Sequence, residues 1–247
     1  MKVLRAAVVT IMGNDMTIGA IDNEQRYAAR VAGFLYLFLM VCGVVGEFNA
    51  RGSLIVDNDP AKTAIHIVAS QRLFRVGIVC DLTAFAGDIA IALALYILLR
   101  PVGRYLALLA AFWRVAEAAV LGAITLNSMT MLLLLTDARY SSAFSSTQVQ
   151  NLMWLFNDTH DAGYNIGMIF LALGCIVSSY LLFKSRYIPR LLAAFGLVAY
   201  IVMLLACVLT IIFPEAPIGL AFYGPAGIYE ITIGLWLLIL GIKKPAR

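Results

Sequence analysis

Long apolar runs alternate along the chain with short polar or basic segments. Six runs stand out: residues 28–48, 73–99, 105–135, 163–183, 191–213 and 222–242. A hydrocarbon core about 30 Å thick needs about 20 apolar residues as helix. The runs are continuously apolar, whereas the strands of a membrane barrel are short and alternate in polarity. The pattern predicts an all-α, polytopic membrane protein. Its expected parts are an N-terminal extension (1–25), a six-helix transmembrane bundle (26–242) and a short tail (243–247).

Two segments between the runs carry helix-start signals. Asp59 can cap a helix with Pro60 at its first position, and Ala64, Ile65, Val68 and Leu73 then recur at helical spacing. Ser145 and Gln148 fit a capping box, followed by Val149, Leu152, Leu155 and Phe156, with Trp154 expected at headgroup level. Both segments read as short amphipathic outer helices feeding the second and fourth spans. The Pro and Gly residues between Pro214 and Gly227 predict an outer break before the last span.

Charge gives orientation. The chain holds 18 Lys and Arg. Twelve fall on one set of ends: Lys2, Arg5, Arg26, Arg30, Arg100, Arg104, Lys184, Arg186, Arg190, Lys243, Lys244 and Arg247. The positive-inside rule makes that side, and both termini, cytoplasmic. The net charge of +4 is then topology. Composition agrees: 62% of residues are hydrophobic and 13% charged, against about 45–50% and about 25% in soluble domains. This excludes an ordinary soluble domain, a disordered chain and a nucleic-acid binder. No P-loop occurs, and the hairpins near Arg100–Arg104 and Lys184–Arg190 are too short to hold a nucleotide. Residues 1–12 make a poor signal peptide, since Asn14 and Asp15 follow rather than a small-residue cleavage site.

The candidate chemistry lies in ionisable residues within the apolar runs. An ionisable group at a span centre costs roughly 2.5–3.5 kcal/mol on insertion scales, so it faces the interior and is paired. Counted from the basic ends at 1.5 Å per residue, Asp88, Arg114, Glu117 and Glu230 all fall near the midplane, on three helices. Arg114 and Glu117 share a helix face. If the faces converge, one arginine meets three carboxylates, which calls for protons or an entering cation. Gly227 and Gly234 flank Glu230 and leave room for close packing or a ligand.

A second tier lies nearer the outside: Glu47, Asp81, Asn127, His160, Asp161 and Tyr164, with Asn165, Arg72 and Arg75 close by. Together the tiers predict a polar funnel from the outer surface to the midplane. No metal is expected, because only His66 and His160 are present and zinc sites show more His or Cys. Cys42, Cys80, Cys175 and Cys207 lie on different spans and read as buried apolar residues. No cofactor is expected.

Several stretches together resemble a known family. They are Arg26-Tyr-Ala-Ala-Arg-Val-Ala-Gly-Phe-Leu-Tyr36, then Leu73-Phe-Arg75-Val-Gly-Ile with Asp81 and Asp88. The segment from Leu95 to Arg104, then His160, Gly163-Tyr164, Ile166-Gly167 and Tyr187-Ile-Pro-Arg190, complete the set. The chain from Arg26 to Ile242 resembles the bacterial membrane proteins of domain of unknown function 4386. The resemblance implies a multi-helix protein of the bacterial inner membrane. It transfers no activity and no catalytic residue.

Three functions are compatible with these residues. The first is a binder or transporter of a small molecule, ion or proton in the polar cavity, with the lipid bilayer as surround. Six helices are few for a transporter, so a homo-oligomer would be expected. The second is a structural or regulatory membrane protein whose buried ion pairs join helices. The third is a membrane-embedded enzyme acting on a lipid-like substrate, with Asp81 and His160 or Glu47 as acid and base. The catalytic residues of such an enzyme are not evident, and an enzyme is the weaker expectation.

Overall fold

The computed structural model describes residues 21–215 and 220–243. Most of the predicted N-terminal extension, residues 1–20, and the end of the tail, residues 244–247, lie outside the described residues. All regular elements described are helical. Helix α1 spans Asn23–Gly43 and runs on through a π-helical stretch, Val44–Arg51. Then come α2 (Pro60–Ala69), α3 (Gln71–Thr136), α4 (Ala138–Ser141), α5 (Ser146–Ser185), α6 (Arg190–Ile212) and α7 (Gly224–Leu235). A second π-helical turn, Trp236–Leu240, extends α7.

Among the described residues, four helices are long and apolar enough to cross a membrane: Asn23–Arg51, Gln71–Thr136, Ser146–Ser185 and Arg190–Ile212. At 1.5 Å per residue, 66 residues of straight helix would reach about 100 Å. Helix α3 instead breaks at Gly103, whose backbone is extended (φ −173°, ψ 88°), two residues after Pro101. Proline removes a backbone donor and clashes with the preceding turn, which favours a break there. The ion pair between Asp88 and Arg114 proves the fold-back. These residues lie equal distances either side of Pro101, so the two arms of α3 run antiparallel. The last predicted run is shorter than expected: the apolar helix is Gly224–Leu240, not 222–242. Its start is set by Pro225 in the first turn.

Helix α1 shows why the arms pack. Ala29, Ala32, Gly33 and Tyr36 recur at i, i+3, i+4 and i+7 and are buried, while Phe34, Phe38 and Val41 point outward. Small residues on the inner face allow close approach, as membrane helices require. The outer faces of α3, α6 and α7 are likewise apolar and exposed, at Val79, Leu93, Phe112, Val198, Leu205 and Ile239 among others. Such a surface suits hydrocarbon and would be a liability in water.

The outer helices form with the predicted caps but turn differently. Asp59 accepts the backbone N–H of Lys62 at 3.0 Å, and that bond holds its carboxyl below the usual range. Ser145 and Gln148 make the expected capping box. In α2, however, Thr63 and Ile67 are the buried positions, and the predicted apolar face at Ile65, Val68 and Leu73 is exposed. Ile67 packs with Phe74, Ile78, Met131 and Met153, because the arms of α3 and α5 present their apolar surface on that side. The second predicted outer helix is not separate. It is the first part of α5, which continues unbroken to Ser185. Its Val149 and Met153 are buried, Trp154 is half-buried and Leu155 is exposed.

The basic end is tied by a residue the sequence pattern left unremarked. Gln25 closes a capping box with Asp22. Its side-chain amide also donates to the carbonyl of Leu98 at 3.2 Å and to the Tyr187 hydroxyl at 3.1 Å. The carbonyl of Tyr187 accepts from the Lys243 amide at 3.0 Å. Four chain segments thus meet at one side chain and its immediate partners. Gln25→Ala is expected to cost about 1–3 kcal/mol, since it leaves buried acceptors unpaired. Unfolding in mixed detergent micelles measures it; a loss below about 0.5 kcal/mol would mean water replaces the amide.

Candidate functional site

The helices enclose a cavity of about 630 Å³. Its walls come from α1 with its π-helical extension, both arms of α3, and α5, α6 and α7. Six carboxylates line it: Glu47, Asp81, Asp88, Glu117, Asp161 and Glu230. The rest of the lining is mainly apolar and aromatic, with Tyr36, Phe85, Tyr164 and Tyr223 prominent.

Three of the deep tier, Asp88, Arg114 and Glu117, meet as a cluster. Arg114, buried, forms ion pairs with Asp88 and with Glu117, the latter at 2.9 Å. The two carboxylates come from opposite arms of α3, so the fold-back builds this contact. Glu230 of α7 lines the same cavity and accepts the hydroxyl of Tyr200 at 2.8 Å. Cys175 lies 4.0 Å from Arg114 and adds a weak acceptor. The Arg114 Nε donor is buried without a hydrogen bond among the described residues, so the guanidinium keeps one unused donor.

The outer tier is organised by Arg51, which the sequence reading did not single out. One guanidinium nitrogen meets Glu47 at 3.2 Å. The other meets Asp161 at 2.7 Å and donates to the side chain of Asn157 at 2.8 Å. This ties the π-helical end of α1 to α5 beside the cavity, whose lining includes Glu47 and Asp161. The signal in the sequence was the four-residue spacing of Glu47 and Arg51, which places them on one helix face. Both sit on the π-helical stretch Val44–Arg51, where the amide of Gly52 reaches back five residues to the carbonyl of Glu47 at 2.8 Å. Such insertions re-aim side chains and are frequent at functional sites.

Asp81 differs from the other carboxylates. It is buried, 5% exposed, and lines the cavity, yet has no hydrogen-bond or ion-pair partner among the described residues. Gly46 makes room for it, since a Cβ there would collide with the Asp81 carboxylate.

Four expected members stand elsewhere. Asn127 is half-buried on the second arm of α3 and is not part of the lining. His160 is buried behind the wall, with its ring nitrogens 3.8 Å from Glu47 and 3.5 Å from Asp161. The helical rotation of α5 gives the lining to Asp161, Tyr164 and Asn165 instead. No hydrogen bond or ion pair joins His160 to Asp81 among the described residues, so these two are not paired as acid and base. Arg72 and Arg75 are exposed and lie outside the funnel. The two glycines beside Glu230 divide the roles expected of them. Gly234 packs closely on Tyr36 and Leu37, whereas Gly227 lines the cavity with open space around it.

Helix count, apolar outer faces and an internal acidic cavity describe an all-helical protein suited to a lipid bilayer. The chain belongs to the family described as Domain of unknown function (DUF4386), whose profile matches residues 31–241. No curated protein and no solved structure matches the chain.

Proposed function

We propose that the protein crosses a bacterial inner membrane six times, with both termini cytoplasmic, and binds a small molecule or ion in the cavity. The fold-back of α3 turns four long apolar helices into five crossings, and Gly224–Leu240 supplies a sixth of about 26 Å. The basic residues Arg26, Arg30, Arg100, Arg104, Lys184, Arg186 and Arg190 favour a cytoplasmic location for the end tied by Gln25. One observation carries the binding reading: a buried carboxylate, Asp81, faces a cavity of about 630 Å³ without a partner among the described residues. That volume falls within the range of small-molecule sites, about 300–1,000 Å³. A charge this expensive to bury is functional by default.

The pairing of Arg114 with both Asp88 and Glu117 also supports a role for those three as helix glue. The two roles are compatible, because the same residues form the cavity floor.

The test fills the cavity without touching its charges. An added Cβ on Gly227 meets nothing within 4 Å. Protein in nanodiscs is expected to retain a small molecule detectable by mass spectrometry, and Gly227→Leu is expected to lose it while eluting as the same folded species. Identical spectra from the two proteins would overturn the reading.

A further inference from the structure

Resting on the cavity reading above, we infer that the ligand is an organic cation with an apolar body, its charge held by Asp81 and its body by the aromatic wall.

The sign follows from the charges on the page. Six carboxylates line the cavity, and two guanidinium groups, Arg114 and Arg51, pair with them. With every group ionised the formal balance is −4 among the described residues. A cavity lined by one sign with apolar walls focuses its field and concentrates ions of opposite sign. An anion would have to displace or approach these carboxylates with only Arg114 in the lining, and Arg114 already has two acidic partners.

The location follows from Asp81. Asp88 and Glu117 share Arg114, Glu230 accepts from Tyr200, and Glu47 and Asp161 share Arg51. Asp81 is the lining carboxylate left without a partner among the described residues, although it is 95% buried. Glu47 Oε1 is likewise buried without a hydrogen bond, and both arise beside Gly46, where α1 and α3 touch.

The chemical class follows from the remaining wall. Tyr36, Phe85, Tyr164 and Tyr223 line the cavity, and aromatic rings attract ammonium groups. Met40, Met168 and Met203 add polarizable, adaptable surface. A bare metal ion would need several oxygen or nitrogen ligands converging on one point. No group of three or more His, Cys, Asp or Glu among the described residues is so placed. The wall therefore suits an amine, quaternary ammonium or phosphonium carrying hydrocarbon.

The test uses tetraphenylphosphonium as the cation and triphenylphosphine oxide as a neutral relative, on full-length protein in phosphatidylcholine nanodiscs, with empty nanodiscs subtracted. Saturable binding of tetraphenylphosphonium is expected, at least ten-fold tighter than that of the neutral probe. Asp81→Asn, close in shape to the original, is expected to weaken it at least ten-fold. Should that variant fail to fold, Glu230→Gln provides the second reading, with a smaller loss of several-fold. Equal binding of charged and neutral probes, or unchanged affinity in folded Asp81→Asn, would overturn the inference while leaving the cavity reading intact. No saturable binding of the cation would overturn it as well. The cavity reading is judged separately, by the small molecules retained in wild type and Gly227→Leu.

Discussion

Arg114→Met is expected to be among the most destabilising single changes in this protein, at about 3–5 kcal/mol. The methionine fills similar volume, so the loss comes from charge. Arg114 is 3% exposed and is the ion-pair partner of both Asp88 and Glu117. Without it, two carboxylates face each other across a medium that screens poorly. The same physics predicts a rescue. A buried ion network replaced as a whole is often neutral in stability, because the desolvation cost disappears with the charges. The triple variant Arg114→Met, Asp88→Asn, Glu117→Gln should therefore recover most of the loss. Unfolding free energies of the two variants and wild type, in detergent micelles, decide the matter. A single variant costing under 1 kcal/mol would mean the cluster contributes nothing to holding the arms of α3 together. A triple variant as unstable as the single would locate the loss in packing.

Gly33→Leu is expected to prevent the close approach of α1 and α7 altogether. A Cβ at position 33 would press on the backbone amide of Leu238 and lie 2.8 Å from the carbonyl oxygen of Gly234. The obstacles are backbone atoms in the turn around Trp236–Leu240, so no rotamer change can relieve them. Overpacking typically costs 1–3 kcal/mol, and with rigid neighbours we expect at least about 3 kcal/mol. The matched control is Gly43→Ala, where a Cβ meets nothing within 4 Å. It should be within about 0.5 kcal/mol of wild type, or slightly stabilising through helix propensity. Comparing yield of the monodisperse protein and midpoint of unfolding for the two variants tests this. Equal behaviour would show that the two helices can separate without cost.

These two positions illustrate what could be read without coordinates. Arg114 stands out in a sequence because charge inside an apolar run demands a partner. Gly33 does not, because a glycine in a membrane helix is common and its spacing says only that some neighbour is close. The same contrast holds through the cavity. Counting residues puts Asp88, Glu117 and Glu230 at one expected depth, because depth along a helix follows from rise alone. Asn127 is an expectation from depth too, yet does not line the cavity, because depth says nothing of rotation about the axis.

Sequence alone determined the all-helical character, the apolar runs and the family. These follow from local properties: backbone groups in hydrocarbon must bond within their own helix, and length fixes reach. Tertiary structure decided the facing. It put Arg114 between two carboxylates by folding α3 back on itself. It tied the π-helical end of α1 to α5 through Arg51, which pairs with Glu47 and Asp161 of the cavity lining. It buried Ile67 in place of Ile65 and Val68. It left Asp81 alone against the cavity, beside a glycine that gives it space. Each of these depends on how one helix is turned toward its neighbours. That rotation is set by side-chain packing over the whole bundle, where no single segment carries the information.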